Sequence, residues 1–181
     1  MKNTHASTAG DTSGIASIFL AVVIFCTVYA TLRYIVFKGV EIAHFPLYIN
    51  NKIISWSAVT LITISYLAGR SGKKAGNSPL PKWAGLVGFA MMTGHVIISL
   101  AILDPAYFPK FYSGEQMNFS AEFNLLAGVF GLFAFAIPAI NSISVIRLSL
   151  PPETWRRGQQ MGYAGLLLTA VHTTVMGYSG W

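Results

Sequence analysis

Charge is scarce in this chain: its 181 residues carry six Asp and Glu, and all charged side chains together make up 10%. A soluble domain carries roughly 25%, so a surface wetted on every side is excluded. The single cysteine, Cys26, excludes an intramolecular disulfide and leaves the redox compartment unmarked. No Gly-x-Gly-x-x-Gly fingerprint occurs, so any nicotinamide nucleotide has to be oxidised by another polypeptide. Internal repeats, low-complexity blocks and a linker able to separate a second domain are missing as well.

What is present is apolar. Hydrophobic residues make up 54% and mean hydropathy is +0.57. Uncharged runs cover residues 12–32, 53–69, 83–103, 123–146 and 158–181, and a membrane-spanning helix needs about 20 such residues. The pattern predicts an all-α polytopic bundle of five transmembrane helices, at about 15–37, 52–70, 83–103, 121–146 and 158–178. Residues 1–14, polar with only Lys2 and Asp11 charged, read as a flexible tail before a single transmembrane domain over 15–181. The first apolar stretch has spanning length and is expected to remain as an uncleaved helix.

The net charge of +6 is spread in a way that points to a membrane, not to nucleic acid. Lys2, Arg70, Lys73, Lys74, Lys82, Arg147, Arg156 and Arg157 fall on one side of the expected topology, and Arg33, Lys38, Lys52 and Lys110 on the other. The richer side is cytoplasmic by the positive-inside rule, which puts the N-terminus inside and, after five crossings, the C-terminus outside. A multi-pass protein of the bacterial inner membrane is expected. Asp104, Glu115 and Glu122 share the third connection, on the outer side; a solvated loop explains them, and cation attraction is the weaker alternative.

Two histidines stand inside the uncharged runs. His95 lies 13 residues beyond Lys82 and His172 lies 14 beyond Gly158, so at 1.5 Å per residue both sit about 20 Å from the inner edge of a core about 30 Å thick. An ionisable group at that depth is costly and usually marks function. Matched histidines on two helices suggest a shared metal centre. Zinc wants four ligands, whereas porphyrin iron needs two axial ones, and neither run supplies Asp, Glu or Cys. A haem is therefore the expected cofactor, with Thr93, Thr169, Thr173 or a carbonyl one turn back to accept the second imidazole N–H. Gly88, Met91, Gly94, Gly165, Leu168, Thr169 and Met176 are the expected haem-packing residues, with Met92 and Val175 on adjoining turns. Small residues that only let helices approach would give the same glycine pattern.

The stretch Trp155-Arg156-Arg157-Gly158-Gln159-Gln160-Met161-Gly162-Tyr163, running on to His172, resembles the fifth helix of ferric-reductase-like transmembrane domains. That superfamily includes the STEAP metalloreductases and the bacterial haem-binding subunit of the periplasmic methionine sulfoxide reductase system. Lys82-Trp83-Ala84-Gly85-Leu86 leading to His95, and Ala136-Ile137-Pro138-Ala139-Ile140-Asn141-Ser142, support the likeness over about residues 82–178. The resemblance implies that His95 and His172 are the axial ligands of a haem near the outer face. Relatives with two haem centres have a further histidine where this chain has Gln159, so one haem is implied.

Arg70, Lys73, Lys74, Lys82, Arg156 and Arg157, with Trp155, Gln159 and Gln160, crowd the inner connections. The inner-leaflet charge bias predicts most of them; an FAD, FMN or quinone site using Lys82, Trp155, Arg156 and Gln159 is the sharper expectation. His44, on the outer side, is a candidate for a peripheral metal or quinone contact, while His5 in the tail reads as solvated. Pro138 is expected to kink the fourth helix. Together these features suggest a membrane b-type cytochrome. It would pass electrons from a cytoplasmic flavoprotein reductase or a quinol to an acceptor at the outer face, such as a metal ion, oxygen or a periplasmic protein. A haem-bearing anchor subunit and a haem-free scaffold are the alternatives, and no nucleic-acid partner is expected.

Overall fold

The computed structural model describes residues 8–70 and 78–178, and it is helical almost throughout. Helices α1 (Thr8–Ala30), α2 (Asn50–Arg70), α3 (Leu80–Ala101), α4 (Phe119–Asn141), α5 (Ser144–Ser149) and α6 (Pro152–Tyr178) follow in order. Strands β1 (Tyr112–Ser113) and β2 (Gln116–Met117) form a small antiparallel hairpin turning at Gly114, whose φ of 68° suits glycine. Packing divides the chain between Met91 and Met92, inside α3, into two units.

In the first unit α1 continues as a π-helical segment, Thr31–Phe37, and α2 is approached through a 3-10 turn, Ile42–His44, and π-helical turns over Phe45–Ile49. Val22, Cys26 and Ala30 form an i, i+4, i+8 stripe against Ile49, Ile53 and Leu61, also spaced on one face. α3 then runs antiparallel to α2. A Cβ at Gly88 would meet Ile62 and the Ala58 carbonyl at 2.8 and 3.1 Å, one at Gly85 would meet Ser65 Oγ at 2.9 Å, and Ser65 Oγ donates to the Pro81 carbonyl at 2.6 Å.

In the second unit the connection after α3 is itself folded. Tyr112 OH donates to the Leu103 carbonyl at 3.0 Å, Phe108 stacks on Phe111, and Asn118 caps α4 by accepting from Ala121 N–H at 3.0 Å. The buried side of α4 is Ala121, Asn124, Ala127, Gly131, Ala134 and Pro138, at steps of three or four. Its outward side carries Phe119, Phe123, Leu126, Phe130 and Phe133, which are 47–81% exposed. Small residues inward and large apolar ones outward suit lipid, not water. α6 packs antiparallel on α4: Gly158 meets Asn141, Gly165 meets Phe135, and His172 meets Gly128.

Among the described residues, four segments are long and apolar enough to cross a membrane: Ser13–Phe37, Ile42–Arg70, Leu80–Ala101 and Phe119–Asn141. The all-α polytopic bundle is as expected. α6, at 27 residues, has the length of a span but is diluted by glutamines, threonines, glycines and a histidine. Several boundaries differ from expectation. The described helix takes in residues 8–14, inside the stretch read as tail; residues 1–7, with His5, lie outside the described residues. The fourth helix ends at Asn141 instead of 146, because Ile143 is extended, with ψ at 129°, and Ser142 Oγ donates to the Pro138 carbonyl of the last turn. The fifth expected helix starts at Pro152 instead of 158, with Glu153 in its first turn bonded to Arg157 at 2.7 Å.

Candidate functional site

α6 delivers His172 to the buried side of α4. Its Nδ1 lies 2.9 Å from the main-chain carbonyl of Asn124; a carbonyl oxygen only accepts, so Nδ1 carries the proton and Nε2 is the lone-pair nitrogen of the neutral ring. Gly128 makes the approach possible, since a Cβ there would stand 3.0 Å from Nδ1 and 3.1 Å from Cε1. Asn124 is 2% exposed, and its side-chain Oδ1 is buried without a hydrogen-bond partner. Metal-ligating histidines usually pass their second N–H to a carbonyl or carboxylate in this way.

α3 carries His95, half-buried, with Nδ1 3.4 Å from Ser99 Oγ one turn on. His95 and His172 both belong to the second unit. Among the described residues no group of three or more His, Cys, Asp and Glu side chains gathers, and a porphyrin iron needs only two protein ligands. A tautomer fixed through Nδ1 and two imidazoles without a carboxylate or thiolate fit a haem better than zinc.

The expected packing residues divide. Gly88 is filled by Ile62, Met91 packs against the core of the first unit, and a Cβ at Gly165 would meet the Phe135 ring at 2.7 to 2.9 Å. These three serve helix packing, so the room expected beside Gly88 and Gly165 is occupied by neighbouring side chains. Leu168 and Thr169 lie against Gly131, where a Cβ would meet Leu168 Cβ at 3.5 Å and Thr169 Oγ1 at 3.7 Å. Met176 is half-buried. Gly94, next to His95, has nothing within 4 Å of where a Cβ would stand. The N–H acceptor for His172 is also not one of the threonines named from sequence but a carbonyl of another helix. The sequence reading does not single out Asn124 and Gly128, for which the small-residue stripe of α4 is the available signal.

At the other end of the α4–α6 pair, Gln159 Nε2 donates to the Pro138 carbonyl at 3.1 Å and to Ser142 Oγ at 3.3 Å. Gln159 therefore ties α6 to the end of α4. Trp155 lies under the Arg147 guanidinium, 5.2 Å from the ring centroid, and its Nε1 is buried without a partner. Arg156 is exposed. Lys82 belongs to the first unit, with its ammonium 6.0 Å from the Trp83 ring; Lys73 and Lys74 lie outside the described residues. His44 is half-buried in the 3-10 turn, its N–H bonded to the Glu41 carbonyl.

Residues 53–170 match the family model described as ferric reductase like transmembrane component. The match begins in α2, takes in α3 with His95 and all of α4, and stops in α6 two residues before His172.

Proposed function

Because the chain belongs to the ferric reductase-like transmembrane component family, we propose that it is a b-type cytochrome holding one haem between His95 and His172. Family and fold make it a multi-pass integral membrane protein of redox, electron-transfer function. The observation that carries the finer reading is the 2.9 Å hydrogen bond from His172 Nδ1 to the Asn124 carbonyl. It puts a proton on Nδ1, which leaves Nε2 as the ligand nitrogen of a neutral ring, and it holds the ring against Gly128. Ser99 stands in the corresponding place for His95. When bound, the haem would supply a one-electron carrier inside the bilayer. The large apolar side chains on the outer side of α4 keep water away from that depth, so the protein can hold an iron centre without exposing it to bulk solvent.

Electrons are proposed to arrive from a flavin or quinol on the cytoplasmic side, near Trp155 and Arg156. A buried indole N–H without a partner invites an acceptor atom, and Arg147 over the ring adds positive charge. The acceptor is proposed to lie at the outer face, as a metal ion, oxygen or a periplasmic protein, with the bacterial inner membrane as location. Gln159 ties α6 to α4 where relatives with two haem centres have a ligand, which supports a single haem. An absorption spectrum of the purified chain, oxidised and then dithionite-reduced, tests this reading together with a pyridine haemochrome assay. One haem b per chain is expected, and a colourless chain purified from haem-replete cells overturns it.

A further inference from the structure

We infer that the end of the α4–α6 pair carrying Trp155 binds the ring of an isoprenoid quinone, with the indole N–H donating to one quinone carbonyl. This rests on the electron-entry reading proposed above and selects the lipid-borne carrier over the flavin. Trp155 stands in the first turn of α6, and its Nε1 is buried without a hydrogen-bond partner. An indole N–H only donates, and a buried donor left open is costly unless an acceptor reaches it. Over the ring lies the Arg147 guanidinium, 5.2 Å from the centroid. Arg147 is exposed, so its side chain can swing off the indole and admit a flat headgroup.

What borders the indole is apolar and faces outward. α5, which supplies Arg147, exposes Val145 and Leu148 at 79% and 87%, and Ile140 and Ile143 just before it are each 47% exposed. Lipid covers such side chains in a membrane bundle, so a ligand that reaches Trp155 past α5 arrives from the lipid. A quinone does so, and its isoprenoid tail stays against α5 while the ring is held at Trp155. A flavin mononucleotide brings a phosphate that has to stay in water. Its ring edge also presents several acceptors and an N–H, each of which needs a partner. The Pro138 carbonyl and Ser142 Oγ at this end are already bonded to Gln159. A quinone carbonyl asks for a single donor, and Trp155 Nε1 is one.

The test is photolabelling of the full chain in lipid nanodiscs with an azido-benzoquinone bearing a decyl tail, read by peptide mass spectrometry. A pyridine haemochrome assay is run on the same samples. Saturable labelling is expected in α5 and the first turns of α6, displaced by decylubiquinone and not by FMN at equal concentration. Trp155→Phe keeps an aromatic ring and removes the N–H, and should lower labelling roughly fivefold. A Val145→Ser, Leu148→Ser double variant changes two exposed positions and keeps the fold. It should lower labelling by the decyl probe severalfold, while a tail-less azido-benzoquinone labels as in the parent. Labelling unchanged in Trp155→Phe, displacement by FMN as effective as by decylubiquinone, or label spread evenly over lipid-facing segments overturns the inference. A chain that holds haem but lacks this labelling overturns it and leaves the cytochrome reading standing. Labelling as expected in a chain without haem overturns the cytochrome and leaves the quinone site.

Discussion

His172 hands its Nδ1 proton to the backbone of Asn124, 48 residues earlier in the chain and on another helix. The imidazole is therefore oriented by the main chain of α4, with Gly128 as the surface it rests on. A helix carbonyl has two lone pairs, so Asn124 can serve its own helix and His172 together. The side chain of Asn124 takes no part in that bond.

Replacement at the two positions should therefore differ. Gly128→Ala puts a methyl group about 3 Å from the ring, and overpacking of this kind typically costs about 1–3 kcal/mol. The expected outcome is a lower haem-to-protein ratio and a shifted low-spin signal, more severe in Gly128→Val. Asn124→Ala keeps the carbonyl and removes a buried orphan polar atom, and should leave the spectrum as it is. Absorption and electron paramagnetic resonance spectra of the three variants check the contrast.

Gly165→Ala should damage packing and spare the ligands. Its new methyl would press on Phe135, costing about 1–3 kcal/mol in unfolding measurements, and Phe135→Leu in the same chain should recover most of that. Loss of haem without loss of stability would instead return Gly165 to the cofactor pocket.

How far the sequence reveals this arrangement depends on the kind of signal. Uncharged runs of spanning length locate the long helices, because lipid permits few charges there. The similar depth expected for His95 and His172 rests on the same signal, since helical rise turns residue number into distance. Helix ends are less legible. Asn141 ends α4 because Ile143 is extended, and Pro152 and Glu153 start α6 inside a charged segment, neither of which hydropathy registers. Which glycine faces the imidazole is a question of helix pairing. Gly88, Gly128 and Gly165 look alike in one dimension, and only the antiparallel register of α4 and α6 puts Gly128 under His172.

The inner end separates two residues that the sequence groups together. Gln159→Ala should cost about 1 kcal/mol of stability through its two lost hydrogen bonds and leave electron delivery intact. Trp155→Leu with Arg156→Ala should slow haem reduction by reduced flavin or quinol roughly tenfold, about 1.4 kcal/mol on the barrier, while dithionite still reduces it fully. Stopped-flow reduction with each donor checks this; equal rates in parent and double variant would move electron delivery elsewhere.

Orientation follows from the excess of Lys and Arg on one side. A reporter fused after Trp181 should be active only outside the cytoplasm if α6 crosses as the fifth span. Activity in the cytoplasm would reverse the direction of electron flow proposed above.

The most direct measurement is the reduced spectrum of the His95→Ala and His172→Ala variants, purified from membranes alongside the parent. Each variant is expected to insert normally and to lose the low-spin b-type spectrum, because one axial imidazole is gone and no carboxylate or thiolate replaces it. A low-spin spectrum unchanged from the parent in either variant would contradict the two-histidine centre.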